Sequence, residues 1–428
     1  MPHGIMRAPM RLSPYLSLLR NNPAFARLYA AQLASFAGDW FATVALLGLA
    51  LHVTGSAALA SLVLALQTGG FAAAAPLAGM MADRVDRRKL LVATDVARVP
   101  VALAFLLARG PDTLWIAFVA VALLAIGAAV FEPTSSASLP NLVSSEDLPA
   151  ANVLIGSAWG TMLAVGAALG GLVAVTLGRD AAFVINALSF LLSAWLILGI
   201  RRPLQLPREP GHHPSGGVTD AIATAIRFAR PRRTVASFLL TKTSFGIGTG
   251  IVALLAVFGR NVFDAGDAGI GILFAARGLG ALIGPFLVRS LMGTDDRGLL
   301  RGIGWSFVAL TVAYALFPLA PGIWVAALLV FAAHCGGGAQ WTLSTLGLQR
   351  ATPDAIRGRV FSVDYGLVTL AIACSTLLAG LLADLIAPRL AAWVMVALVA
   401  VAGAAWFAFS RPALAAAPAA LDLPAEDR

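Results

Sequence analysis

The sequence predicts an all-α polytopic membrane protein, with twelve transmembrane helices in two pseudo-symmetric six-helix bundles. Three observations lead there. Of 428 residues, 59% are hydrophobic and only 12% are charged, about half the charged share of a soluble domain. The apolar residues fall into twelve runs, each at least as long as the roughly 20 residues that cross a bilayer. The two sets of six runs also carry sparse matches at one fixed offset. Such a composition excludes an ordinary soluble enzyme, a disordered chain and a disulfide-rich secreted scaffold.

The elements follow in chain order. The first 24 residues are polar and basic, include Pro14 and Pro23, and hold no short apolar core before a cleavage site. They are expected to remain attached, with the first span directing insertion. Spans of the first half are expected near 27–52, 57–82, 89–108, 113–138, 151–177 and 180–199. A break rich in Pro, Gly and His follows at 201–233, and its second part places Val218, Ala221, Ile222, Ala225, Ile226 and Ala229 on one helical face. That pattern predicts a short helix lying on the membrane surface. His212 and His213 in this break are read as part of a solvated linker. Spans of the second half are expected near 234–259, 267–291, 298–319, 321–348, 358–386 and 388–410. The division is therefore 1–200, a linker at 201–233, a second bundle at 234–411, and a cytoplasmic tail at 412–428. Cys335 and Cys374 sit inside apolar runs and form no metal-ligand spacing.

The net charge of +9 would suggest nucleic acid in a soluble protein. Here its placement gives topology instead. One set of alternate loops and span ends holds 23 of the 30 basic residues, and the other set holds four: Arg109, Arg179, Arg260 and Arg389. The rich side faces the cytoplasm, so both termini are expected there.

At an offset of 209, Pro76 falls on Pro285, Asp86 on Asp295, Arg88 on Arg297 and Gly171 on Gly380. Two parallel six-helix repeats joined by a linker are the plan of many secondary transporters, with the substrate site between the halves near the midplane.

Between the second and third spans the chain reads Gly79-Met-Met-Ala-Asp83-Arg84-Val-Asp86-Arg87-Arg88-Lys89. This resembles the signature loop G-x-x-x-D-R-x-G-R-R of the major facilitator superfamily, with Asp86 at the second glycine. The variant, with GDW at 38–40, FEPTSSASLPNLV at 131–143 and RGRVF at 357–361, is similar to the branch of enterobactin exporters and macrolide-efflux-type permeases. The resemblance covers residues 25 to 410. It implies a conformational latch on the cytoplasmic side made by Gly79, Asp83, Arg84, Asp86, Arg87, Arg88, Asp95 and Arg98. Gly79 permits close helix approach, Asp83 can face a helix N-terminus near Gly358, and Arg87 and Arg88 can bridge to acids such as Asp95. Gly166, Gly170 and Gly171 resemble an antiporter motif, with Ala167 replacing its proline. Small residues at this spacing suit close helix packing.

Charges inside a membrane are costly and mark function or pairing. Seven are expected within spans: Asp39, Asp95, Arg98, Glu132, Lys242, Arg277 and Asp364. Asp39 lies about 12 residues into its span, hence near the midplane at ~1.5 Å per residue. Asp39 and Glu132 are the candidates for proton coupling. Lys242 and Arg277 can bind an anionic group of the substrate, or pair with Asp39 or Glu132 across the halves. Asp364 is expected to pair with Arg359. Trp40, Phe245, His334, Gln340, Trp341 and Tyr365 complete the expected substrate cavity.

No Walker loop, HExxH or G-x-S-x-G sequence occurs, so the expectation is no enzyme and no cofactor, with energy drawn from a proton gradient. The resemblance implies an exporter of a small amphiphilic molecule (a drug, macrolide-like compound or siderophore) in the bacterial cytoplasmic membrane. The expected partners are that small molecule and the lipid bilayer, without nucleic acid, and the expected state is a monomer. An importer or lipid flippase on the same fold, and a non-transporting sensor or scaffold, are the alternatives.

Overall fold

The computed structural model describes residues 13–205, 218–292 and 295–415. Within helices, the side chains at 13, 14, 75–80, 82–84, 218, 289, 354 and 355 lie outside the described ones. Gly79, Asp83 and Arg84 of the expected latch are thus described as helix backbone only. His212, His213 and most of the expected tail lie outside the described residues.

Among the described residues, twelve helices are long and apolar enough to cross a membrane. Spans one to six are Pro23–Thr54, Ala57–Arg84, Arg87–Leu107, Pro111–Leu142, Leu148–Thr176 and Arg179–Leu198. Spans seven to twelve are Arg233–Val262, Gly266–Met292, Asp296–Leu319, Ile323–Ala351, Asp354–Leu385 and Pro388–Ala415. Local sequence sets their ends. Asn22 caps span one by accepting from the Phe25 N–H, with Pro23 in the first turn. Gly55, at φ +67, closes the same span in the left-handed conformation that glycine tolerates best. Asp86 caps span three, its carboxylate accepting from the Lys89 N–H at 2.9 Å. An even number of spans leaves both chain ends on one side, here called the terminal end; the opposite side is the distal end.

Two seams join the halves. Span five runs along span eight, and span two along span eleven. Small residues allow this: Gly171 meets Gly271, Gly278 meets the Ala164 backbone, and Gly380 meets Ser61. The buried apolar residues show where the halves are bound together. At the distal end one cluster runs through both halves, from Val44 and Leu51 to Ile251, Phe258, Phe274 and Phe317. At the terminal end each half has its own cluster, around Phe25, Leu142 and Ile197 in one and around Phe238, Leu299 and Trp406 in the other. Among the described residues, buried apolar packing therefore crosses between the halves at the distal end and stays within each half at the terminal end.

The linker helix Val218–Ala229 turns Ala225 and Ala229 into the second half and leaves Ile222 and Ile226 exposed. Asp220 on it lies 3.3 Å from Arg359. Trp115 and Trp324 stand exposed at the distal ends of spans four and ten, where amphipathic rings sit at a membrane interface.

Candidate functional site

In the first half, spans one, three and six enclose one guanidinium. Arg98 Nη2 donates to Asp39 Oδ2 at 2.9 Å and to Oδ1 at 3.2 Å, and Nη1 donates to Ser35 Oγ at 3.1 Å. Asp95 Oδ1 stands 3.6 Å from Nη1, and neither Asp95 oxygen has a hydrogen-bond partner. The guanidinium lies 3.9 Å from the centroid of the Phe190 ring. Its alkyl stem passes Gly127 of span four, where any side chain would collide with it. Arg98 thus neutralises Asp39 directly and Asp95 at longer range. Asp95 and Arg98, grouped with the signature-loop latch in sequence, lie in this structure beside Ser35 and Asp39 of span one. Arg87 and Arg88 do not reach Asp95 either. Arg87 donates to the carbonyls of Ala137 and Leu204, and Arg88 to that of Arg202, which ties the signature loop to the start of the linker. Glu132 carries no ion pair among the described residues.

In the second half, Lys242 of span seven donates to Asp364 of span eleven, and both side chains are fully buried. Trp341, Tyr365 and Phe361 surround the ammonium, with ring centroids 5.4, 5.5 and 5.8 Å away. Two expected pairings are thereby corrected. Asp364 takes Lys242 rather than Arg359, and Lys242 is neutralised within its own half rather than by Asp39 or Glu132. His334 Nε2 bonds the Tyr314 hydroxyl at 2.7 Å. With Phe245 it lines a narrow crevice among residues of the second half. Gln340 is buried with both polar side-chain atoms unbonded.

Arg277 of span eight is different from the other cations. No carboxylate lies within ion-pairing distance among the described residues, and its buried Nε has no hydrogen-bond partner. It lies over Trp159 of span five and Phe274, at 5.7 and 5.9 Å. Trp40 of span one packs against both rings. Gly166 and Gly170 seat span five on Ala37, Trp40 and Phe41, while Gly171 faces span eight.

Sequence reasoning missed the distal end. Asp267, at the start of span eight, accepts from Arg179 Nε at 2.7 Å and from Arg260 Nη1 at 2.5 Å. Arg260 Nη2 donates to His52 Nδ1 at 3.1 Å. Arg179 and His52 belong to the first half, Asp267 and Arg260 to the second. Asp267 lies against Gly48, where a side chain would not fit. His52, Arg179 and Asp267 line a crevice of ≈ 460 Å³ that also holds Arg109 and Asp180. Nearby, Asp384 of span eleven accepts from Ser56 Oγ at 2.6 Å and from the Ala57 and Ala58 N–H groups. It thus caps span two across the seam. The signal was present in the charge count: Arg179 and Arg260 are two of the four basic residues on the side that topology keeps poor in them.

The profile of the transmembrane secretion effector family matches residues 13–425. A Bacillus subtilis protein named for bacilysin export is 27% identical over 362 residues, covering 81% of this chain and 86% of its own. The enterobactin exporter of Shigella boydii serotype 4 is 27% identical over 368 residues, covering 81% and 82%. Among solved structures, a bacterial homologue of the human lysosomal transporter Spinster, inward-facing and unoccupied, superposes with a TM-score of 0.69 at 18% identity, over 95% of this chain and 99% of that one. A POT family transporter in complex with 5-aminolevulinic acid gives 0.74 at 13% identity, over 92% and 97%. The structures establish the fold alone. With the family profile spanning nearly the whole chain, the protein belongs to the transmembrane secretion effector family of the major facilitator superfamily, multi-pass membrane transporters rather than enzymes.

Proposed function

We propose that the protein is a proton-coupled exporter of small amphiphilic molecules (drug, macrolide-like compound or siderophore) that works by alternating access in a bacterial cytoplasmic membrane. The terminal end would face the cytoplasm, a reading the distribution of basic residues supports. The observation that carries the reading is Arg98 held between Asp39 and Asp95 inside the first half. A buried cation shared by two acids changes its allegiance when either acid takes a proton, so a proton entering from outside rearranges spans one and three. Apolar packing that crosses the halves only at the distal end, among the described residues, supports a state that collects cargo from the cytoplasm. Opening outward must break Asp267 from Arg179 and release Asp384 from span two. In that outward state the signature loop, including Gly79, Asp83 and Arg84, would hold the terminal end shut. The names of the relatives support outward direction.

The test is counterflow of an amphiphilic dye panel in proteoliposomes with an imposed proton gradient. Gradient-dependent efflux of at least one dye is expected. No gradient-dependent flux of any compound favours a scaffold, and inward accumulation favours an importer; either result overturns export.

A further inference from the structure

We infer that Arg277 is the receptor for an anionic group on the cargo, and that the cargo is a carboxylate carried on a flat apolar body. The inference rests on the export reading and names its substrate class.

The other two cations buried within spans are neutralised, Arg98 by Asp39 and Lys242 by Asp364. Arg277 has no acidic partner among the described residues, and its Nε is buried without an acceptor. An unpaired charge in this setting is strongly unfavourable unless something supplies the anion. Arg277 lies 11 residues into the 27-residue span eight, so it sits about 17 Å from the start of that helix, at 1.5 Å per residue, near the middle of the bilayer. A phospholipid headgroup does not reside at that depth. The planar guanidinium presents a fork of N–H donors that meets a carboxylate with two parallel hydrogen bonds.

The walls fit an apolar body. Trp159 lies on the same helical face as Gly166 and Gly170, two and three turns on, which seat span five on span one. It is nevertheless 42% exposed, and its contact with Arg277 of span eight sets it against the second half. With Trp40 and Phe274 it builds an aromatic wall drawn from both halves. A ligand held there touches the first half through the tryptophans and the second through Arg277. Its affinity therefore depends on how the halves sit, which is the condition for cargo to shift a conformational equilibrium.

The test is binding of radiolabelled 1-naphthylacetate and its neutral analogue 1-naphthylacetamide to the full chain in phosphatidylcholine nanodiscs. Wild type should bind the acid about tenfold more tightly than the amide, the preference should fall within about twofold in Arg277→Gln, and Arg277→Lys should lie between. Retained amide binding in Arg277→Gln shows that the aromatic wall still stands. Equal affinities in wild type, binding of neither probe, or an undiminished preference in Arg277→Gln would each overturn the inference. So would displacement of the acid by phosphatidylglycerol added to the nanodiscs, which would make the site a lipid-anion site. If the acid preference depends on Arg277 but no gradient drives any flux, export fails while the anion site stands. If gradient-driven efflux of dyes persists without any acid preference, export stands and the anion site falls.

Discussion

At Arg98 one guanidinium serves two carboxylates, and the energetics of that sharing make a definite prediction. Breaking a buried pair by removing one partner costs about 3–5 kcal/mol, because the other charge is left uncompensated, whereas removing both is far milder. Asp39→Asn should therefore lower thermal stability in detergent and abolish proton-driven transport. The triple change Asp39→Asn, Asp95→Asn and Arg98→Gln, which removes all three charges, should recover stability without recovering coupling. A triple variant that transports with a proton gradient as wild type does would show that this cluster does not couple. Asp86 makes a second residue-scale prediction. As the cap of span three, its replacement by alanine should cost about 1 kcal/mol, while Asp86→Asn should be nearly neutral; melting curves of both variants check this. Each of these charges is visible in the sequence, yet their partners are not. Sequence grouped Arg98 and Asp95 with the signature loop, but the shorter contact to Arg98 comes from Asp39, 59 positions earlier. Asp364 likewise has Arg359 nearby in sequence and takes Lys242, 122 positions away.

Elements were more legible than contacts, because the bilayer fixes span length before packing decides anything. Spans end where a polar cap or a left-handed glycine occurs, as at Asn22 and Gly55. The glycines of span five show the limit. Their small size was readable, but each residue turns the helix by 100°, so adjacent Gly170 and Gly171 meet different neighbours, span one and span eight. The linker helix was readable from its apolar periodicity, but not the choice of which residues it buries: Ala225 and Ala229 enter the protein and the isoleucines stay outside. The seam itself gives a matched test. A methyl group on Gly278 collides with the Ala164 backbone, while one on Gly366 meets nothing within 4 Å. Gly278→Ala should lower both thermal stability and transport, and Gly366→Ala should leave both close to wild type. Equal behaviour of the two variants would remove the seam between spans five and eight from the mechanism.

For the whole molecule, hydropathy and charge were enough to give twelve spans, while the state in which the halves sit needed coordinates. Contacts that close the distal end join residues far apart in sequence, Arg179 to Asp267 and Ser56 to Asp384, and no local pattern announces them. The buried apolar cluster crossing both halves at that end supplies the cohesion, and the ionic contacts set its register. A closed distal end that can open is what separates a transporter from a static bundle. Its most direct measurement is an electron-spin distance between labels at Leu177 and Leu385, both exposed at the distal ends of spans five and eleven, with Cys335 and Cys374 replaced by serine. Wild type should give a short, narrow distribution, and Asp267→Asn should shift it to longer distances as the halves part. A distribution that stays unchanged in Asp267→Asn would contradict a hinge held shut by this contact.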